Sequence, residues 1–190
     1  MAGRAPSLLH TSVLAGDIDG VRAGLSEAPE DVLLPVDGSG GSCLHFAATL
    51  GRADIAALLL SGGASLNTAD CEGWHALHEG VKAGHESVVS LLISRGASVE
   101  TPGARGVHAI HVAAMNGLPD MVRLLLAAGS SHQLPDEGAT GSSPLHYASC
   151  GGCLKVGSFI ALPSLFSIGV AMSSLFRSSF HQLLALHAMI

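Results

Sequence analysis

The chain has 190 residues, enough for one domain with a continuous core, and a formal net charge of −6 at pH 7. Only 13% of its residues are charged, against about 25% in an average domain, and no basic stripe is present to neutralise a phosphate backbone. Direct nucleic-acid binding is therefore not expected. The four cysteines form no regular disulfide framework, which favours an intracellular protein of the cytoplasm, the nucleus or both.

A leucine–histidine or isoleucine–histidine pair returns along the chain every 33 to 35 residues. The histidines of these pairs are His10, His45, His78, His111 and His146. A glycine follows each of them by six residues, and another precedes the last four by five residues. A fixed period of this length is typical of a stacked helical array, in which each repeat contacts only its neighbours. Such an array builds a long surface and not one deep pocket, so we expect no enzyme, no catalytic residue and no cofactor.

In each repeat, a turn comes first and a short helix follows it. Residues 70–73 combine an aspartate with a glycine, which is turn chemistry. Ser42 stands where a helix N-cap is needed, and Pro144 falls on the first helical position of its copy. We predict a helix from about Cys43 to Leu50, ended by a glycine in the left-handed conformation.

A second, longer helix follows in each repeat. In the best-formed copy Val88, Leu91 and Leu92 stand at positions i, i+3 and i+4, which predicts an apolar stripe along one helix face. The first copy departs from this pattern, because Gly20 and Gly24 fall inside its second helix. We interpret that copy as a degenerate N-terminal cap, since terminal repeats are usually atypical.

The whole unit resembles the ankyrin repeat, with its consensus D-x-x-G-x-T-P-L-H-x-A-A-x-x-G-H. The segments 37–69 and 70–102 are the closest copies, and residues 143–148 supply Ser-Pro-Leu-His-Tyr-Ala. Two departures concern His75 and His108, which replace the threonine of the motif, and the copy that starts near Gly103 lacks the leading aspartate.

The resemblance covers roughly residues 5 to 162 and implies an all-α, ankyrin-type helix-turn-helix solenoid with β-hairpin-like loops and about five repeats. The domain we predict is therefore an array over residues 1–162. Its approximate repeats are 5–36 (the degenerate cap), 37–69, 70–102, 103–135 and 136–162.

A hydrophobic tail, residues 163–190, follows the array. No charge occurs from Val156 to Phe176, and about 20 apolar residues suffice to cross a bilayer. However, the start of this stretch falls on the second-helix positions of the last repeat, and Pro163 interrupts it. We expect a terminal helix that covers the last repeat. Two alternatives are a membrane anchor, which would make the protein a membrane-tethered ankyrin adaptor, and a poorly folded, truncated or alternative end.

Cys150 and Cys153 form a lone C-x-x-C motif, half of a zinc site or a redox pair. A metal or thiol-redox protein is therefore a further alternative. No second C-x-x-C occurs, and Gly152 is the inter-helix glycine of its repeat, so we expect these cysteines to flank a structural turn.

Histidines at spacing i, i+3 could share a metal ion on one helix face. His75 with His78 and His108 with His111 have this spacing. We expect instead that His75 and His108 fill the capping position of the motif threonine, and that the chain holds no metal. Glu79 is interpreted as part of a solvated helix face.

In arrays that resemble this one, partners are usually held by the hairpin tips and by the exposed end of the first helix. The resemblance therefore implies another protein, of unknown identity, as the partner, and no small-molecule substrate. The positions that it indicates are Glu72, Trp74, Arg105 and Val107 at the tips, and Thr49, Leu50, Lys82, Met115 and Asn116 on the first helices.

Trp74 stands out because it is the only tryptophan and lies where the pattern leaves a side chain free. Tryptophan and arginine are prominent among binding hot spots. We predict that Glu72, Trp74, Lys82, Arg105 and Met115 form the centre of the binding face. The alternative is that Trp74 only packs over the neighbouring loop.

Overall fold

The computed structural model describes residues 7–36, 38–138 and 141–161, and these residues form five helix pairs. The helices are α1 Leu8–Ala15, α2 Ile18–Glu27, α3 Cys43–Thr49, α4 Ala53–Ser61, α5 Ala76–Ala83, α6 Glu86–Ser94, α7 Ala109–Met115, α8 Pro119–Ala127, α9 Pro144–Cys150 and α10 Leu154–Ala161. Short 3₁₀ helices cover Pro29–Leu33 and Ala104–Gly106. The described residues contain no β-strand. Two isolated antiparallel bridges, Pro35 with Ser42 and Ala69 with His75, give the loops their hairpin character.

The pairs stack in two rows. The first helices α1, α3, α5, α7 and α9 pack in succession, and the second helices α2, α4, α6, α8 and α10 pack in the same order beside them. Leucines from both rows are fully buried between the rows, among them Leu44 on a first helix and the equivalent second-helix residues Leu59, Leu92 and Leu125. The core is therefore a continuous layer that runs the length of the array, and the predicted all-α solenoid is confirmed.

Polar caps and glycines set the ends of the first helices. Ser42 and Ser143 are the N-cap residues of α3 and α9, and Pro144 is the first residue of α9. Helix α3 ends at Thr49, one residue before the predicted end, and Leu50 is its C-cap. The glycine six residues after each repeat histidine has a φ between 67° and 78°, the left-handed conformation that other residues avoid.

The glycines of the first repeat have a packing role. A Cβ atom at Gly24 would lie 2.9 Å from the Cα of Leu9, and one at Gly20 would collide with the hydroxyl of Ser12. Helix α2 can therefore approach the backbone of α1 because these positions have no side chain. The glycines lower the intrinsic helix propensity of α2 but allow close helix–helix contact.

The last described helix, α10, packs on α8 and α9. Val156 and Ile160 are buried in it, at the positions that the repeat pattern assigns to the core. No helix among the described residues is both long and apolar enough to cross a membrane. The hydrophobic tail, residues 163–190, lies outside the described residues, so its cap and anchor interpretations stay predictions.

Candidate functional site

The repeat histidines His10, His45 and His111 each attach the following loop to a first helix. Nδ1 of His45 accepts the backbone N–H of Ser42 at 3.1 Å, so the ring proton is on Nε2, which donates to the carbonyl of Trp74 at 3.0 Å. His111 does the same with the carbonyl of Leu134, at 2.9 Å. A buried ring thus positions the backbone of the following loop, and the side chains at the loop tip are left to face outward.

The loop of the third repeat is shaped by its aspartate. Oδ1 of Asp70 accepts the backbone N–H groups of Glu72 at 2.9 Å and of Trp74 at 2.8 Å. The backbone N–H of Asp70 donates to the carbonyl of Trp74 at 2.8 Å. This turn fixes the backbone of both tip residues that the sequence singles out.

Trp74 is half-buried and has three kinds of contact. Its Nε1 donates to Oε2 of Glu72 at 3.2 Å, and Nζ of Lys82 lies 5.9 Å from the ring centroid, within the range of a cation–π interaction. The ring edge packs on Gly103 of the next loop, where a Cβ atom would lie 2.9 Å from Cε3. Packing over the neighbouring loop is therefore part of the geometry. It also explains why the fourth copy lacks the leading aspartate, since the indole occupies that side chain's space.

The ends of three successive first helices are joined by polar contacts. Oγ1 of Thr49 donates to Oε2 of Glu79 at 3.4 Å, and Nζ of Lys82 lies 3.4 Å from Oε1 of the same carboxylate. Nδ2 of Asn116 donates to the carbonyl of Lys82 at 3.5 Å. The side chain of Glu79 is only 15% exposed, so the interpretation of Glu79 as a solvated helix face is wrong. Its role depends on a partner 30 residues away, which local sequence does not reveal.

Two apolar side chains are exposed beside this polar network. Leu50 at the end of α3 is 44% exposed, and Met115 at the end of α7 is 48% exposed. Helix α5, with Lys82 in its last turn, stands between them. The two apolar side chains therefore flank the polar network and do not form a patch with each other.

Arg105 is exposed at the tip of the fourth loop in an unusual conformation. Its φ of 58° makes it the one residue besides glycines with a positive φ in the described part of the chain. The backbone N–H of Gly103 donates to the carbonyl of Val107 at 2.9 Å, and the backbone N–H of Glu137 donates to the carbonyl of Gly106 at 2.9 Å. Val107 itself is half-buried, so it offers a partner less surface than Arg105.

The cysteines lie in structural positions. Burial raises the pKa of the Cys43 thiol to about 12, so it is a weak nucleophile. Cys150 is exposed at the end of α9, whereas Cys153 is half-buried, with its Sγ 3.8 Å from the carbonyl of Gly117. A Cβ atom at Gly151 would collide with the carbonyl of Met115, so the glycines between the two cysteines allow the last turn to pack on α7. Among the described residues, no group of three or more His, Cys, Asp and Glu side chains has the geometry to hold a metal ion.

These features define a class of protein, a solenoid of short helix pairs with outward-facing loop tips. The family model for ankyrin repeats in three copies matches residues 9–103 and 98–164. The chain belongs to the ankyrin repeat family, as the repeat pattern predicted.

One curated protein with a similar segment is diacylglycerol kinase zeta of Rattus norvegicus. It is 40% identical over 67 residues, which are 35% of this chain and 7% of the kinase. The match therefore spans a small part of that protein. Ankyrin repeats are in general protein–protein interaction modules and are typically not catalytic.

Proposed function

We propose that this array is a non-catalytic module that binds a partner protein through one continuous face, here called the binding face. It consists of Thr49, Leu50, Glu72, Trp74, Lys82, Arg105, Val107, Met115 and Asn116. The main support is the polar network around Glu79, which links three successive first helices and is flanked by the exposed side chains of Leu50 and Met115.

The arrangement of charges favours binding at this place. Lys82 is held between the carboxylate of Glu79 and the ring of Trp74, so its position is largely set before a partner arrives. Groups that are ordered in advance lose less conformational entropy on binding. The apolar side chains at the two sides offer area that a partner can remove from water.

An intracellular location is part of the proposal. The four cysteines, Cys43, Cys71, Cys150 and Cys153, are all free thiols, and two of them are exposed. Exposed unpaired thiols persist in a reducing compartment and are oxidised outside it.

Affinity purification with matched variants tests the binding face. A Leu50→Asp, Met115→Asp double variant places charges at its two apolar positions, whereas Leu33→Asp changes an exposed leucine of the 3₁₀ helix that is not one of the nine residues of the face. We expect proteins captured by the wild type to be retained by the Leu33 variant and lost with the double variant. Equal capture by both variants, with equal helicity in circular dichroism, would remove these positions from the site.

Trp74 needs a separate test, because it also packs on Gly103. If Trp74 is a hot spot, Trp74→Ala should weaken binding of an identified partner by about 2 kcal/mol or more. Titration calorimetry measures the affinity, and a urea unfolding curve of the same variant shows how much stability it lost. Unchanged affinity in a folded variant would leave Trp74 with a packing role only.

A further inference from the structure

The junction between the third and fourth repeats contains an unusual cluster of imidazoles. In the second and fifth repeats, the N-cap hydroxyl lies close to Nδ1 of the repeat histidine, at 2.9 Å for Ser42 and 2.7 Å for Ser143. In the third and fourth repeats a second imidazole takes the place of that hydroxyl. The ring centroids are 5.5 Å apart for His75 and His78, and 5.4 Å apart for His108 and His111.

His78 is the most enclosed member of this cluster, with 1% of its surface exposed. Neither of its ring nitrogens has a hydrogen-bond partner of good geometry among the described residues. The indole of Trp74 lies 5.5 Å away, centroid to centroid, and the backbone of Gly103 covers Nε2. A protonated His78 would therefore have at most a weak contact with the backbone of Thr101, whereas Nε2 of His45 donates to a carbonyl at 3.0 Å.

The charged groups around the cluster are unevenly placed. The titratable side chains that act on His78 are all imidazoles, those of His45 on α3, His75 before α5 and His108 before α7. Asp70 acts on His75, and the acids Glu100, Asp136 and Glu137 act on His108. Oε1 of Glu137 is 3.9 Å from Nε2 of His108, and the side chain of Glu137 is 64% exposed. The carboxylates thus act on the outer members of the cluster and not on His78.

The pKa of His78 is lowered from 6.5 to about 4, mainly by burial and to a smaller extent by the three neighbouring imidazoles, whereas a backbone hydrogen-bonding contribution from Thr101 opposes the shift. Burial is also the largest cause of the lowered pKa of His75, His108 and His111. An unfolded chain binds these protons near pH 6.5, and the folded chain resists them. The stability that neutral imidazoles provide is therefore complete above pH 6.5 and is lost as the pH falls from 6.5 towards 4.

We propose that this histidine cluster makes the junction between the third and fourth repeats acid-sensitive, so that mild acid separates the stack between α5 and α7. The proposed binding face crosses the same junction, with Trp74 and Lys82 on one side and Arg105 and Met115 on the other. The expected loss of partner binding in acid rests on the proposed function, but the opening of the junction does not. Opening of the junction in mild acid would then release the partner.

Unfolding by urea at about pH 7 and about pH 5 tests the proposal without any partner. For His78 alone, the fall in pKa from 6.5 to about 4 corresponds to a rise of about 300-fold in the unfolding equilibrium constant once the pH lies well below 4. Between about pH 7 and about pH 5 we expect the unfolding equilibrium constant of the wild type to rise by a part of this factor. The variant with His75→Thr and His108→Thr, which restores the hydroxyls, should show a smaller rise, because two of the buried imidazoles and their effect on His78 are removed.

His132 lies outside the cluster, so His132→Asn is the matched control and should behave as the wild type does. An equal rise in the wild type and the double threonine variant would overturn the proposal. Should that variant not fold, histidine ring resonances in the wild-type protein decide the matter. If imidazoles of the cluster stay neutral well below pH 6.5, the proposal is supported. If all of them become protonated near pH 6.5 while the protein is folded, it is overturned.

Amide hydrogen exchange locates the opening. On acidification we expect protection in α5 and α7 to fall at a higher pH than protection in α1 and α2, because the cluster lies between α5 and α7. Protection that falls at the same pH in all four helices would contradict a local junction. Loss of partner binding plays no part in these measurements, so failure of the proposed function and failure of the acid-sensitive junction remain distinguishable.

Discussion

Trp74 and Gly103 occupy complementary space across two repeats. The loop aspartate of the third repeat, Asp70, bonds its own turn, whereas the fourth repeat has a glycine in this position. The backbone of Gly103 has a φ of −95°, so the glycine is not required by a left-handed conformation. It is required because the indole ring and His78 leave no room for a Cβ atom.

This complementarity predicts a non-additive pair of substitutions. Gly103→Ala should destabilise the array by about 1–3 kcal/mol, the usual cost of overpacking, and should cost less in a Trp74→Ala background, where only the contact with His78 remains. Urea unfolding of the four proteins of the cycle measures the coupling. Gly38→Ala is a suitable control, because a Cβ atom there meets nothing within 4 Å. The same cost in both backgrounds would mean that the indole does not determine the glycine.

Arg105 carries backbone strain at an exposed loop tip. With a φ of 58°, its Cβ crowds the following carbonyl, which costs roughly 1 kcal/mol for a side-chain-bearing residue. Arg105→Gly should therefore be more stable than Arg105→Ala by about 1 kcal/mol, reduced by the greater freedom of glycine in the unfolded chain. Both variants lack the guanidinium group, so the difference between their urea midpoints isolates the strain. An alanine variant as stable as the glycine variant would argue against it.

At the scale of the element, the first helices depend on their N-caps. Ser143→Ala removes the hydroxyl that donates to Nδ1 of His146, and we expect a loss of about 1 kcal/mol. Ser90→Ala, at an exposed position inside α6, is the control and should change the stability little. Thermal unfolding followed by circular dichroism measures both. An equal effect of the two substitutions would show that the cap contributes nothing specific.

The helices could be predicted from the sequence because caps, glycines and apolar stripes act within one repeat. Ser42 and the glycine after the first helix are local signals, and they predicted the ends of α3 to within a residue. The meaning of Gly24 and of Glu79 could not be predicted in this way. The first depends on the backbone of Leu9 and the second on Thr49, and both partners become neighbours only when the helices pack.

Less of the candidate site could be predicted from the sequence, because its contacts form between repeats. Its positions follow from the repeat, because every loop tip and first-helix end is exposed in the same way. Which of these side chains contact each other does not follow, since the ring of Trp74 reaches both Lys82 and the next loop. The lack of a partner for His78 likewise results from the packing of two repeats and not from any local motif.

For the whole molecule, nearest-neighbour packing determines which helices lose stability when one core residue is replaced. Leu92 is fully buried in the middle of the second-helix row, so Leu92→Ala should cost about 2–5 kcal/mol. Hydrogen exchange should then rise most in α4, α6 and α8, which pack on one another, and least in α1. Leu91→Ala, at a partly exposed position of the same helix, should cost less. A uniform rise along the array would indicate a single cooperative unit.

The attachment of a loop through a main-chain carbonyl, as at His45 and His111, has a consequence for how such a protein evolves. His45 bonds the backbone of residue 74 and ignores its side chain, so the scaffold sets no chemical requirement on what the tip displays. Mutation can therefore explore new specificities at the tips while the architecture stays intact. Position 103 is the exception, because the ring of Trp74 in the preceding repeat leaves no room for a side chain there. A combinatorial library built on this chain should randomise the tips and leave that glycine alone.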